Sequence, residues 1–259
     1  MKLNVIKIGG QVIDDAEMLS DCLTAFAQLE GPKILVHGGG KEATQMAQKL
    51  GIPVKMVDGR RVTDTQTLEL ITMLYGGKIN KKIVAKLQAL HCNAIGLSGA
   101  DANVIRAQKR EANPLDFGWV GDIVSVDALQ IKNLLDPHQL VPVFCAITHD
   151  GKGQLLNTNA DSIAAQLAIA LTEFYTVDLW YCFEQKGVFL DSQQPDIVIE
   201  TLDYATYQSL KADKIVSEGM LPKLDNCFAA LRQKVHTVHI GNIDMLKGMS
   251  SHTTIQLIA

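Results

Sequence analysis

The chain predicts an α/β fold organised on an open, mainly parallel central sheet, and two stretches carry that expectation. Residues 3–8 form an apolar run interrupted by Lys7 and stopped by Gly9 and Gly10. Residues 34–36 repeat the plan, ending in His37-Gly38-Gly39-Gly40 before a helical pattern over 41–50. A short buried strand, a glycine turn and a helix, met twice in succession, is the βα unit of open α/β sheets, which place their ligands at the carboxyl ends of strands.

Composition narrows the function classes. With 259 residues, 47% of them hydrophobic, the chain has material for one large domain or two lobes without disulfide staples. A net charge of -4 without a dense Lys/Arg run offers no field for nucleic acid, so any anion site must be local. Five scattered cysteines, none in a Cys-x-x-Cys pair, indicate neither a disulfide framework nor a metal site, and fit a reducing cytoplasm. No apolar stretch approaches the ~20 residues of a membrane span, and the strand-like run begins almost at Met1, where a signal peptide would stand.

Taken in order, the first strand places Lys7 at its carboxyl end, followed by glycines whose amides can approach an anion closely. A snorkelling lysine before an ordinary turn is the alternative. Asp14 and Asp15 offer an N-cap for a helix to about residue 29, with Ala16, Leu19, Leu23 and Phe26 on one face. The glycine triplet 38–40 sets several N–H groups beside a helix N-terminus, suited to phosphate or carboxylate, or else is a flexible connector. Neither a Walker A loop nor a Gly-x-Gly-x-x-Gly fingerprint is present.

Residues 54–57 and 60–62 flank Asp58-Gly59 as a β-hairpin, in which Arg60 and Arg61 fall on opposite faces, so that at most one points inward. Thr63-Asp64 caps a long helical region to about residue 90, bent at Gly76-Gly77 and a candidate dimer surface or core helix. Strands are expected at 94–97, 104–107, 120–126 and 140–144, with a helix at 128–135. Asn157, Asn159 and Asp161 then alternate ahead of an apolar helix over 163–171, more polar groups than one cap requires. A strand at 176–181 and a helix at 202–210 follow. Lys223 stands just after Pro222 at a helix start, against the dipole, a conflict that a bound anion would remove. Strands at 235–240 and 254–258 close the chain.

Together, Lys7-Ile8-Gly9-Gly10, His37-Gly38-Gly39-Gly40, Gly59-Arg60-Arg61-Val62-Thr63, Asn157-Thr158-Asn159-Ala160-Asp161 and Gly219-Met220-Leu221-Pro222-Lys223 resemble the amino acid kinase family. The match is nearest to members that phosphorylate the side-chain carboxylate of an N-acylated glutamate in arginine biosynthesis. The resemblance implies an open αβα sandwich with an N-terminal lobe, residues 1–159, for the N-acyl-glutamate and a C-terminal lobe, residues 160–259, for ATP. It implies that Lys7 and Lys223 stabilise the migrating phosphoryl group and that Asp161 holds them. Gly39, Gly40, Arg61 and Asn157 would line the substrate site. Gly9, Gly10, Gly39, Glu184, Gly187 and Ser217 would serve the nucleotide, with Mg²⁺ arriving on ATP rather than in a protein site.

The chemistry matches this parts list. A side-chain carboxyl with a pKa near ~4.3 is already ionised at neutral pH, so the nucleophile needs no general base. It needs relief from charge repulsion as it nears a polyphosphate, which cations and N–H groups supply.

Two departures stand out. Family members commonly carry Thr/Ser-Asp-Val-x-Gly-Val at the nucleotide site, where this chain has Phe183-Glu184-Gln185-Lys186-Gly187-Val188. The acyl group is open between acetyl and succinyl, with Lys55 and Arg60 as candidate partners for an extra carboxylate. Arginine-inhibited hexameric relatives carry a helix before the first strand, and a chain that begins at the strand points to an arginine-insensitive homodimer. The rival from another class is a ligand-binding relative without turnover, against which the two lysines and Asp161 argue.

Overall fold

The protein, described from a computed structural model, is defined over residues 1–57, 59–136, 138–189, 198–213, 220–249 and 251–257. Its strands are β1 (Lys2–Ile8), β2 (Lys33–His37), β3 (Met56–Val57), β4 (Arg60–Arg61), β5 (Ala94–Leu97), β6 (Ile105–Lys109), β7 (Gly121–Val126) and β8 (Val141–Phe144). Then come β9 (Ile147–His149), β10 (Leu155–Asn157), β11 (Thr176–Cys182), β12 (Thr201–Leu202), β13 (Thr237–Gly241) and β14 (Thr253–Ile255). The α-helices are α1 (Gly10–Asp14), α2 (Ala16–Gln28), α3 (Gly40–Lys49), α4 (Thr65–Thr72), α5 (Asn80–Ala89), α6 (Ala128–Leu135), α7 (Ala160–Leu171), α8 (Tyr204–Ala212) and α9 (Leu221–Arg232).

An eight-stranded sheet in the order β12-β14-β13-β11-β1-β2-β8-β5 organises the molecule, and of its pairings only β13 with β14 is antiparallel. The expected mainly parallel sheet is therefore present. Burial on both faces is why β1 reads as a nearly unbroken apolar run, with Leu3, Val5, Ile6 and Ile8 fully buried. Helix α7 packs on β1, β2 and β11 beside α6 and α9, while α5 lies on β5 and β8 and carries α2. The result is an αβα sandwich. Every strand from the half after residue 175 lies on one side of β1, and every strand of the large sheet from the earlier half lies on the other. A smaller sheet, β10-β9-β6-β7, and the hairpin β3-β4 flank this frame.

Local chemistry sets the helix starts. The Asp15 carboxylate accepts from the N–H groups of Glu17 and Met18 and opens α2, and Asp64 accepts from Thr67 to open α4. The helix expected after Asp14 and Asp15 is α2, but the short helix before it, α1, was not anticipated, because Gly10 starts it and a glycine pair reads locally as a turn. The long helical region at 65–89 is continuous, but its middle, Met73–Ile79, is π-helical and contains Gly76 and Gly77. The glycine pair thus marks a widened turn. Strands β9 and β10 were not anticipated, since three residues are too few to establish an alternating pattern. Asp58, the first residue of the expected hairpin turn, and residue 258 of the expected last strand lie outside the described residues.

At the opposite end of the sheet from Gly9, Asp178 on β11 is almost completely buried. Burial pushes its carboxyl up, but His239, Lys2, Thr237 and His236 outweigh that and hold it well below the usual carboxylate range. Lys2 Nζ lies 2.7 Å from it, Thr237 Oγ1 2.6 Å and His236 Nδ1 2.9 Å. A carboxyl depressed on folding contributes stability above its unfolded pKa and loses it as pH falls through the folded value. Asp178→Asn should therefore cost about 2 kcal/mol in urea unfolding at neutral pH. The deficit should shrink below about pH 3 as the wild-type carboxyl protonates. A pH-independent deficit would remove the charge from the explanation.

Candidate active site

Strands β1, β2 and β11 are adjacent and parallel, so Lys7, Val36 and Tyr181 stand in register and their carboxyl ends open on one edge. Lys7 projects there from β1, and its Nζ lies 2.7 Å from Asp161 Oδ1 in the first turn of α7. That turn is fixed by Asn159, whose side chain accepts from the N–H groups of Asp161 and Ser162. Asp161 Oδ1 is buried and, among the described residues, accepts no directed hydrogen bond, which leaves Lys7 as its ionic partner.

Lys7, Asp161 and Lys223 line one cavity with Tyr181, Phe183 and Asn226. Lys223 reaches it from the start of α9, its Nζ resting 5.0 Å from the centroid of the Phe183 ring. A cation over a ring face is held electrostatically, which offers a lysine at a helix N-terminus a contact where no carboxylate among the described residues is ion-paired to it. Two cations and one carboxylate thus converge at a strand end.

The glycine turns differ in what they leave open. Gly9 donates its N–H to Cys182 O at 3.0 Å, which ties β1 to β11, so Gly10 is the member of the pair whose amide has no acceptor among the described residues. Gly39 has φ +153° and ψ 18°, and a Cβ there would lie 2.5 Å from Ile79 Cδ1 and 2.9 Å from Tyr75 Cε1. At Gly40, the first residue of α3, a Cβ would meet nothing within 4 Å.

Arg61 is buried and Arg60 exposed, as the hairpin geometry predicts. Arg61 Nη2 donates to Gly40 O at 2.8 Å and to Thr44 Oγ1 at 2.7 Å, so the guanidinium is held against the first turn of α3. Asn157, at the end of β10, donates to Thr63 Oγ1 at 2.9 Å, and Thr63 in turn donates to Arg61 O at 3.2 Å. Asn157 and Arg61 are thereby linked through Thr63, which lies 94 positions before Asn157. Glu184 is exposed in the loop after β11. Gly187 serves packing, since a Cβ there would lie 2.5 Å from Val198 Cγ1 and 2.7 Å from Thr253 Oγ1. Ser217 and Gly219 lie outside the described residues.

Several contributors were not singled out from sequence. Phe183 is the platform for Lys223, Thr63 the joint between Arg61 and Asn157, and Tyr75 and Ile79 the wall against Gly39. Each acts through a contact distant in sequence, and the local signal for it was weak. The described residues contain no group of three or more His, Cys, Asp or Glu side chains that could hold a metal ion, and no helix among them is long and apolar enough to cross a membrane.

Comparison with known proteins places this arrangement. The acetylglutamate kinase of Cytophaga hutchinsonii is 50% identical over 246 residues, covering 95% of this chain and 93% of that protein. The acetylglutamate kinase of Bacteroides fragilis is 48% identical over 92% of this chain and 91% of its own. Among solved structures, N-acetylglutamate synthase from Neisseria gonorrhoeae, complexed with coenzyme A and N-acetyl-glutamate, superposes with a TM-score of 0.83. It is 22% identical and covers 99% of this chain and 60% of that chain. Carbamate kinase from Giardia lamblia, bound to AMP-PNP, gives a TM-score of 0.68 at 14% identity, with 99% of each chain covered. These two likenesses bear on fold alone. The model of the amino acid kinase family matches residues 2–242, and with relatives of such identity along their own length, the chain belongs to the amino acid kinase family.

Proposed function

We propose that the chain transfers the γ-phosphoryl group of ATP to the side-chain carboxylate of N-acetyl-L-glutamate, giving the acyl phosphate used in arginine biosynthesis. The identity with acetylglutamate kinases supports the substrate. The observation that carries the chemistry is Lys7, ion-paired to Asp161 at 2.7 Å and sharing its cavity with Lys223.

In this reading the substrate carboxylate is ionised at neutral pH, so no residue has to remove a proton. A carboxylate oxygen attacks the γ-phosphorus while the bond to the ADP oxygen breaks. Lys7 and Lys223 meet the charge on the transferring group, which eases the approach of one anion to another. Asp161 fixes Lys7 through the 2.7 Å ion pair. Gly10 and Gly39 present N–H groups to phosphate. Gly40 and Arg61 face the substrate, with Asn157 joining Arg61 at the α-carboxylate. Mg²⁺ arrives with the nucleotide and supplies further neutralisation of the phosphates. Glu184, Gly187 and Ser217 serve the nucleotide's far end, and Gly9 contributes by anchoring its turn to β11 through its amide, which goes to Cys182 O instead of a phosphate.

The proposed division into residues 1–159 for the acyl-glutamate and 160–259 for ATP is supported by the sheet order, in which the strands after residue 175 lie on one side of β1 and the earlier ones on the other. A homodimer is the proposed assembly. Its candidate surface is the groove of Leu68, Thr72, Met73 and Leu155, where Met73 is 64% exposed. Five free, buried cysteines fit a cytoplasmic setting.

The test is a coupled trap: ATP, Mg²⁺, hydroxylamine and either N-acetyl- or N-succinylglutamate, with the acyl phosphate captured as hydroxamate. Hydroxamate should form from N-acetylglutamate and depend on ATP. No product from either substrate would sink the kinase reading, and a faster reaction with the succinyl compound would reassign the acyl group.

A further inference from the structure

His37 ends β2 as a fully buried side chain, an unusual place for a titratable ring that touches no carboxylate. Its Nδ1 lies 2.8 Å from Gly38 O, and its Nε2 lies 3.1 Å from Asn80 Nδ2. Asn80, buried at the first position of α5, also donates from Nδ2 to Val143 O at 2.9 Å, while its Oδ1 accepts from Lys81 Nζ at 3.3 Å.

These partners leave no freedom of assignment. A backbone carbonyl can only accept and an ammonium can only donate, so the Asn80 amide is oriented with Nδ2 towards Val143 and His37. Facing that donor, Nε2 must present its lone pair, and the ring proton therefore sits on Nδ1, which donates to Gly38 O. Burial pushes the ring's pKa down to about 4 against the opposing pull of the Gly38 carbonyl, so the neutral form prevails at neutral pH. The fit around Asn80 is tight, since a Cβ on Gly96 would lie 1.9 Å from Asn80 Oδ1.

The consequence lies in the peptide unit itself. The carbonyl of Gly38 and the N–H of Gly39 belong to one planar trans peptide and point in opposite directions. Drawing the carbonyl inwards onto His37 turns the Gly39 N–H away from the core, and no acceptor among the described residues takes it. We propose that His37 and Asn80 are a positioning pair: Asn80 fixes the tautomer of His37, and His37 fixes the peptide that aims the Gly39 N–H at the transferring phosphoryl group. The proposal rests on the phosphoryl-transfer reading above. It adds two residues that touch neither substrate.

Two measurements test it. In wild-type protein, ¹⁵N spectra of labelled histidine, with His37 assigned by its loss in His37→Asn, should show a protonated Nδ1 and a bare Nε2 from about pH 6 to about pH 8. Asn80→Ala and His37→Leu should each lower kcat by about tenfold or more, with KM for both substrates moving less than about threefold. His37→Asn, whose amide nitrogen can take the place of Nδ1, should recover most of the loss. A purely structural role would not separate kcat from KM or be rescued in that way. A wild-type His37 protonated on Nε2, or titrating in that range, overturns the pair even if the variants fail to fold. So does wild-type kcat in Asn80→Ala. Wild-type turnover in Lys7→Ala would instead overturn the phosphoryl-site reading, on which the ¹⁵N result does not depend.

Discussion

Lys7→Ala should lower kcat by about a hundredfold to a thousandfold, the scale on which a preorganised group facing transition-state charge is lost, while KM for ATP and N-acetylglutamate changes far less. Two effects add. The first is removal of a cation at the carboxyl end of β1, where in the proposed mechanism the migrating group gathers charge. The second follows from the 2.7 Å contact: without Lys7, the buried Asp161 Oδ1 faces the site without its ionic partner. An uncompensated carboxylate would repel the phosphoryl group that the lysine had attracted. The double variant Lys7→Ala/Asp161→Asn should therefore turn over faster than Lys7→Ala alone, a sign reversal that a double-mutant cycle reads directly. Steady-state kinetics decide the matter. If Lys7→Ala kept kcat and raised only KM, the lysine would bind ground state and transition state alike. If Asp161→Asn worsened the Lys7→Ala enzyme, Asp161 would have a role beyond holding the lysine.

How much of this was legible in the sequence follows the range of the interactions. The apolar run of β1, the glycine triplet after β2, the opposite faces of Arg60 and Arg61 and the polar steps before α7 are local patterns, and each emerged where expected. The widened turn at Met73–Ile79 was visible only as a glycine pair inside a helical pattern, which does not reveal that Tyr75 and Ile79 will close on Gly39. The contact between His37 and Asn80 spans 43 positions and that between Asn157 and Thr63 spans 94. Neither residue type announces such a partner, because a histidine after a strand and an asparagine opening a helix both read as ordinary. Phe183 illustrates a substitution read only as a loss. It departs from the family's segment at the nucleotide site, yet in three dimensions its ring supports Lys223.

Gly39→Ala is expected to be strongly destabilising, and the reason can be separated into two parts. The backbone at φ +153° and ψ 18° lies where an L side chain is strained, at about 1–3 kcal/mol. The added Cβ also meets Ile79 Cδ1 at 2.5 Å and the Tyr75 ring at 2.9 Å, an overpacking worth about 1–3 kcal/mol more. Ile79 can swing its terminal methyl aside, but Tyr75 is buried with Arg61 next to its hydroxyl and has less room to yield. Urea unfolding should thus show a loss of about 2–5 kcal/mol for Gly39→Ala and less than about 0.5 kcal/mol for Gly40→Ala, whose Cβ meets nothing within 4 Å. Adding Ile79→Val removes the clashing methyl and should restore part of the steric share, leaving the backbone share untouched. A Gly39→Ala protein as stable as wild type would mean that the turn relaxes freely. In that event the Gly39 N–H is not held in one direction, and neither the glycine nor the histidine behind it can be credited with aiming it.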